Sequence, residues 1–172
     1  MANDAWPSPS AAALARVVDR AAIADLVYEY ARTMDLNLPS ELAALFTEDC
    51  VVDYGEGLGG RIDGRAALER FVADSLPNVE ATSHHVSNVQ VRFEGPAAAT
   101  GVAYLYAWHR FADERQDATL WGQYHDRFVR TSSGWRIAQR TLRVAGEEAM
   151  GFGAWHPIGR RTASRGARSR DE

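Results

Sequence analysis

The sequence contains no lysine: all nineteen of its basic residues are arginine. Schiff-base chemistry and the lysine of a phosphate-binding P-loop are thereby excluded. Cysteine occurs once, at Cys50. No internal disulfide can form, which fits a reducing compartment. Cys50 opens the apolar run Cys50-Val51-Val52, so packing rather than nucleophilic chemistry is its expected role. No apolar run approaches the roughly 20 residues that a membrane-spanning helix needs. Met1 to Ser10 lacks the basic cluster and apolar stretch of a secretory signal, so a cytoplasmic location is expected.

Several chemical motifs are also missing. The five histidines, His84, His85, His109, His125 and His156, form no His-x-His or His-x-x-x-His pair, and Cys50 has no partner, so a metal site is not expected. No Gly-x-Ser-x-Gly elbow is present for a serine hydrolase. Gly55 to Gly60 is glycine-rich but follows no phosphate-cradling pattern. A net charge of −4 argues against a nucleic-acid partner, which would need a basic surface.

What remains is ordinary globular material, 46% hydrophobic and 24% charged over 172 residues, enough for one domain with a sizeable core. The domain is expected over 1–158. The tail 159–172, with Arg160, Arg161, Arg165, Arg168 and Arg170 among Ser, Gly and Ala, reads as disordered. Leu14, Val17, Val18, Ala21, Leu26, Tyr30 and Met34 recur at helical spacing and predict a helix over about Ala11 to Asp35, with Ser10 as its cap unless Asp19 starts a second helix. Pro39 suits the first turn of a short helix ending at Phe46, and Asp63 is placed to cap a third over Arg65 to Leu76.

Cys50 to Tyr54 reads as a strand. After Pro77 come four β-like runs, Ser83 to Phe93, Thr100 to Phe111, Thr119 to Arg130 and Trp135 to Val144, divided by turn material. Helices followed by consecutive hairpins predict an α+β fold, a mostly antiparallel sheet covered on one face by helices. In Thr100 to Phe111, Leu105, Ala107 and Phe111 share one face while Tyr104, Tyr106 and Trp108 share the other. Both faces are apolar, so the second is expected to be covered by another subunit.

Neighbours on a strand point to opposite faces, so at most one of His84 and His85 can enter a pocket. His109 lies on another strand of the same expected sheet, and Asp35 ends the first helix, where its carboxylate could orient one imidazole. A histidine held in one tautomer by a carboxylate is a recurring arrangement for proton abstraction. Gly122, Tyr124, Asp126 and Phe128 share a face that reads equally as pocket wall or as core, and only one of Asp53 and Tyr54 can face inward.

These residues resemble the scytalone dehydratase and SnoaL-like branch of the nuclear transport factor 2-like superfamily over about Arg20 to Val144. The markers are Ala21 to Leu26 leading to Asp35, Val52-Asp53-Tyr54, Thr82-Ser83-His84 with Asn88 following, Trp108-His109-Arg110, Gly122-x-Tyr124-x-Asp126 and Gly134-Trp135-Arg136-Ile137. The resemblance implies a cone-shaped α+β barrel, N-terminal helices packed on a strongly bent, mostly antiparallel sheet. It also implies a cofactor-free pocket in which Asp35 and His84 form a dyad, His109 is a second histidine and Tyr54 holds a water or carbonyl. The same dyad resembles that of hexachlorocyclohexane dehydrochlorinase and bile acid 7α-dehydratase, and all three relatives are lyases. Tyr30, Asn88, Trp108, Tyr124, Asp126 and Phe128 are the residues expected to bind substrate.

The chain departs from the dehydratase pattern at Met34, where that enzyme has a tyrosine, and at Gly122 and Tyr124; Tyr28, Tyr30 and Tyr124 are candidates for the missing hydroxyl. The implied activity is a dehydratase-like lyase acting on a hydrophobic cyclic substrate such as a polyketide, terpenoid or steroid. An isomerase or cyclase using the same base, and a non-catalytic binding module, stand as alternatives. A homo-oligomer is expected, a trimer before a dimer. Met150 to Ile158 reads as a lid or an interface arm.

Overall fold

The structure, a computed structural model, describes residues 8–75, 78–113, 115–151 and 155–158. Helix α1 runs over Ala11–Asp35, α2 over Pro39–Ala44 and α3 over Arg65–Ser75. Strands β1 (Phe46–Asp53), β2 (Arg61–Asp63), β3 (Val79–Phe93), β4 (Ala98–Phe111), β5 (Ala118–Thr131) and β6 (Gly134–Glu148) form one sheet in the order β2-β1-β6-β5-β4-β3. All neighbours are antiparallel except β1 and β6. This is the expected α+β architecture, three helices on a mostly antiparallel sheet.

Ser10 caps α1 by accepting from the Ala13 amide at 3.2 Å, and the helix continues unbroken past Asp19. Asp19 instead fastens α1 to the sheet, accepting from Trp135 Nε1 at 3.1 Å and pairing with Arg130. The apolar stripe predicted for α1 is only half used. Leu14, Val17 and Val18 are exposed, and burial starts at Ile23 and continues through Val27 and Tyr30. Early in the helix, contact with the sheet is made by arginines instead, Arg16 and Arg20 lying over the Phe93 ring of β3.

Pro39 occupies the first turn of α2, as its fixed φ allows. The helix stops at Ala44, and Phe46 opens β1 rather than closing the helix. Strand β2 was hidden in a glycine-rich stretch: Ile62 pairs opposite Val52, and Asp63, expected to cap α3, ends this strand and binds Arg61 at 3.0 Å. The connection before it contains a single 3-10 turn over Glu56–Leu58.

The four later runs all form strands, each longer than read, because pairing with long antiparallel neighbours draws flanking residues into the ladder. Four register shifts interrupt them, between Val79 and Ala81 and between Ser87 and Gln90 in β3, and at two points where β6 passes β5. Such bulges bend a strand and increase its twist, curling the sheet around its inner face. Gly122 sits at one of them, where a Cβ would lie 2.7 Å from the Arg143 carbonyl oxygen. No helix among the described residues is long and apolar enough to cross a membrane. The tail 159–172 lies outside the described residues, as does Phe152.

Candidate active site

The curl leaves a cavity of about 420 Å³ between the inner face of the sheet and helices α1 and α3. Its walls are mostly apolar, with Met34 from α1, Phe71 from α3, Leu105 and Ala107 from β4, Leu120 from β5, Leu142 from β6, and Met150 beyond β6. Two polar groupings interrupt them.

The first is built where the end of α1 meets β3. β3 is an edge strand, so outward-pointing amides on it have no strand partner. The amide of His84 is used this way, donating to Asp35 Oδ2 at 2.9 Å, while the His84 ring places Nδ1 2.6 Å from Asp35 Oδ1. Thr82 donates its hydroxyl to the same oxygen at 2.7 Å. Three hydrogen bonds thus fix one carboxylate. Burial pushes the Asp35 carboxyl up, but its bonds from the His84 ring, the His84 amide and Thr82 outweigh burial and hold it below the ordinary carboxylate range. A carboxylate on Nδ1 selects the tautomer protonated there and leaves Nε2 with its lone pair.

His109 lies beside this pair, its ring perpendicular to that of His84 with centroids 5.4 Å apart. Strand alternation puts it on the inner face with Leu105, Ala107 and Phe111. Burial, together with the neighbouring His84, pushes its pKa down to about 4, and its buried Nδ1 has no hydrogen-bond partner among the described residues. His109 is therefore a neutral ring facing the cavity, with one N–H to offer.

The second grouping is a wall of phenols. Tyr30 from α1 and Tyr54 at the end of β1 share a hydrogen bond of 2.7 Å between hydroxyls, and the Tyr124 ring packs edge-on against Tyr30 at 5.4 Å. All three line the cavity. Burial pushes each phenol above its ordinary value, so they face the cavity as protonated donors.

Of the residues expected from the sequence, the structure brings His84, Asp35, His109, Tyr54, Tyr30 and Tyr124 to the cavity or its rim. Four others lie elsewhere. Trp108 is on the outer face of β4 beneath Arg110, as strand alternation from His109 requires. Asn88 takes the left-handed conformation, with φ 51°, in the β3 bulge and is exposed. Asp126 and Phe128 do share the inward face of Tyr124, but they sit further along β5 than the cavity reaches. Phe128 is core, and Asp126 is bound to Arg140 at 2.8 and 2.7 Å. Tyr28 is exposed and supplies no hydroxyl to the site. His85 faces outward against Tyr106, and Asp53 pairs with His156 at 3.0 Å. Cys50 is fully buried, and burial pushes its thiol up, which suits packing.

Sequence reasoning gave Thr82 no role, although it lies two residues before His84 and must share its face. It also passed over Arg140. No cluster of three or more metal-ligating side chains occurs among the described residues.

Comparisons with known proteins agree with this architecture. The pattern of the SnoaL-like domain matches residues 15–141. An uncharacterized protein of Mycobacterium tuberculosis (strain ATCC 25618 / H37Rv) is 35% identical over 129 residues, covering 74% of this chain and 86% of that protein. A solved structure from Novosphingobium aromaticivorans, whose assignment as a scytalone dehydratase is provisional, is 34% identical with a TM-score of 0.81, covering 86% of this chain and 98% of that one. Hexachlorocyclohexane dehydrochlorinase LinA-type3 of Novosphingobium barchaimii shares the fold at 19% identity and a TM-score of 0.72, covering 84% of this chain and 99% of that one. A matched pattern spanning most of the sequence and a relative of this similarity carry the assignment: the chain belongs to the SnoaL-like domain family.

Proposed function

We propose that this chain is a dehydratase-like lyase that removes a proton next to a carbonyl on a hydrophobic cyclic substrate. The observation that carries the reading is the Asp35 and His84 pair, a base held in one tautomer by a triply bonded carboxylate at the edge of an apolar cavity. Nε2 of His84 takes the α-proton, and Asp35 stabilises the imidazolium that results. Tyr54, itself bonded to Tyr30, hydrogen-bonds the carbonyl oxygen as negative charge develops there. The enolate then expels hydroxide from the β-carbon. His109, neutral at pH 7, donates its N–H to the departing oxygen, and the His84 imidazolium returns its proton to complete a water molecule. No electrons enter or leave.

The second histidine beside the first favours elimination over isomerisation, which would need no group for a leaving oxygen. The mostly apolar walls suit a polyketide, terpenoid or steroid skeleton. The provisional assignment of the N. aromaticivorans structure supports the same reaction class. A second copy of this chain is proposed to cover the outer aromatic face of the sheet, in a trimer before a dimer.

The test is water loss from cyclic β-hydroxy ketones, followed by the absorbance of the enone. His84→Ala should lower the rate by about 10³-fold or more, and Asp35→Asn by about 10²-fold, within the range that a positioned base contributes. Turnover by a folded His84→Ala protein at the wild-type rate would end this reading.

A further inference from the structure

Behind the phenol wall lies a charge that the mechanism above does not use. Arg140, on β6, is 1% exposed and does not line the cavity. Asp126 grips Nε and Nη2, while the buried Nη1 has no hydrogen-bond partner among the described residues. The guanidinium carbon lies 4.1 Å from the ring centroid of Tyr30 and 4.0 Å from that of Tyr124. A cation is thus held against two of the three phenols.

An ion pair buried this deeply is a weak stabiliser, since desolvation of both charges offsets their attraction, and a well-packed apolar pair would hold the core as well. The stacking offers a different account. A cation on the face of a phenol ring attracts the ring's electrons and makes the hydroxyl a stronger hydrogen-bond donor. Burial pushes all three phenols up, and the charge of Arg140 pulls each back; Tyr54 and Tyr124 remain well above the ordinary value. Tyr30 hands its effect to Tyr54 through their 2.7 Å hydrogen bond.

We propose that Arg140, anchored by Asp126, is a positioning residue that strengthens the Tyr30, Tyr54 and Tyr124 wall as a donor to an oxyanion on the bound ligand. This rests on the reading of Tyr54 as the partner of the substrate carbonyl. It extends that reading to ligand class: the site should prefer enolate-like or phenolate-like oxygens over neutral ketones of the same shape. The charge lies outside the cavity, where it adds field without lining the space the ligand would fill.

The test uses ring-substituted 2-naphthols of graded acidity as probes, bound to the full chain and followed by fluorescence. In the wild type, affinity should rise steadily as the naphthol becomes more acidic. Arg140→Met combined with Asp126→Leu removes both charges at similar volume. It should flatten that dependence and cost about tenfold in affinity for the most acidic naphthol. Arg140→Lys, which keeps the charge, should restore most of the slope. An unchanged slope in the folded double variant overturns the proposal, and so does equal loss in the Lys variant, which would make the contribution one of packing.

Should the double variant not fold, titration of wild-type tyrosines labelled with ¹³C at Cζ decides the matter. Tyr30 and Tyr124, the two rings stacked on the guanidinium, ionising before Tyr54 supports the proposal, and Tyr54 ionising before either of them overturns it. The proton-abstraction reading fails separately, through turnover that survives His84→Ala, and the naphthol series does not depend on that result.

Discussion

At the scale of single residues, the site depends on which ring is charged. His109 has a folded pKa of about 4 against an ordinary 6.5, so between those values the unfolded chain binds more protons than the folded one. Stability from this group is fully present above pH 6.5 and is lost as pH falls toward 4, by on the order of 3 kcal/mol. His109→Gln should therefore narrow the stability difference between pH 7 and pH 4.5 measured by urea unfolding. A variant with the wild-type pH dependence would contradict neutral burial. Strand alternation made it legible that His84 and His85 point opposite ways and that His109 shares a face with Leu105 and Ala107, while the choice of His84 over His85 came from the family resemblance. Alternation also puts Trp108 outside, so the motif that suggested it as a pocket residue was at odds with the strand it lies on. Arg140 was illegible for a physical reason. The β6 register shift opposite Arg127 and Phe128 changes the inward set from Trp135 and Ile137 to Arg140, Leu142 and Val144, and simple alternation from Ile137 would face Arg140 outward.

At the scale of elements, the helices and four long strands followed from periodicity and turn residues. Strand β2 did not, because three residues between glycines carry no pattern, and only pairing with β1 defines them. The apolar positions at the start of α1 show the converse. Leu14, Val17 and Val18 have helical spacing, yet they stay exposed, and this part of the helix is held to the sheet by Asp19 and Arg20. The curl that opens the cavity rests on the bulges, and Gly122 at the second β5 and β6 shift is the tightest of their contacts. Gly122→Ala would press a methyl against the Arg143 carbonyl, and because the obstacle is backbone the strands must part. The expected loss is about 2 kcal/mol, or roughly 4–8 °C in Tm for a chain of this size. An unchanged Tm would mean that the sheet adjusts there freely.

At the scale of the whole molecule, the sheet presents two different faces. The inner one encloses the cavity, while the outer one carries Tyr104, Tyr106 and Trp121, each 40% exposed or more, with Tyr106 packed between His85 and Trp121. With a second copy on this face, sedimentation should find an oligomer, and Tyr106→Glu with Trp121→Glu should yield monomers with the cavity intact. A monomeric wild type would contradict that placement. The central step proposed, removal of a proton by His84 inside the cavity, can be observed before the natural substrate is known. The measurement is deuterium uptake from heavy water at the α-carbon of cyclic β-hydroxy ketones, with wild-type protein and with His84→Ala. Uptake or elimination that disappears in the folded His84→Ala protein is the predicted result, and uptake that persists at the wild-type rate would contradict it.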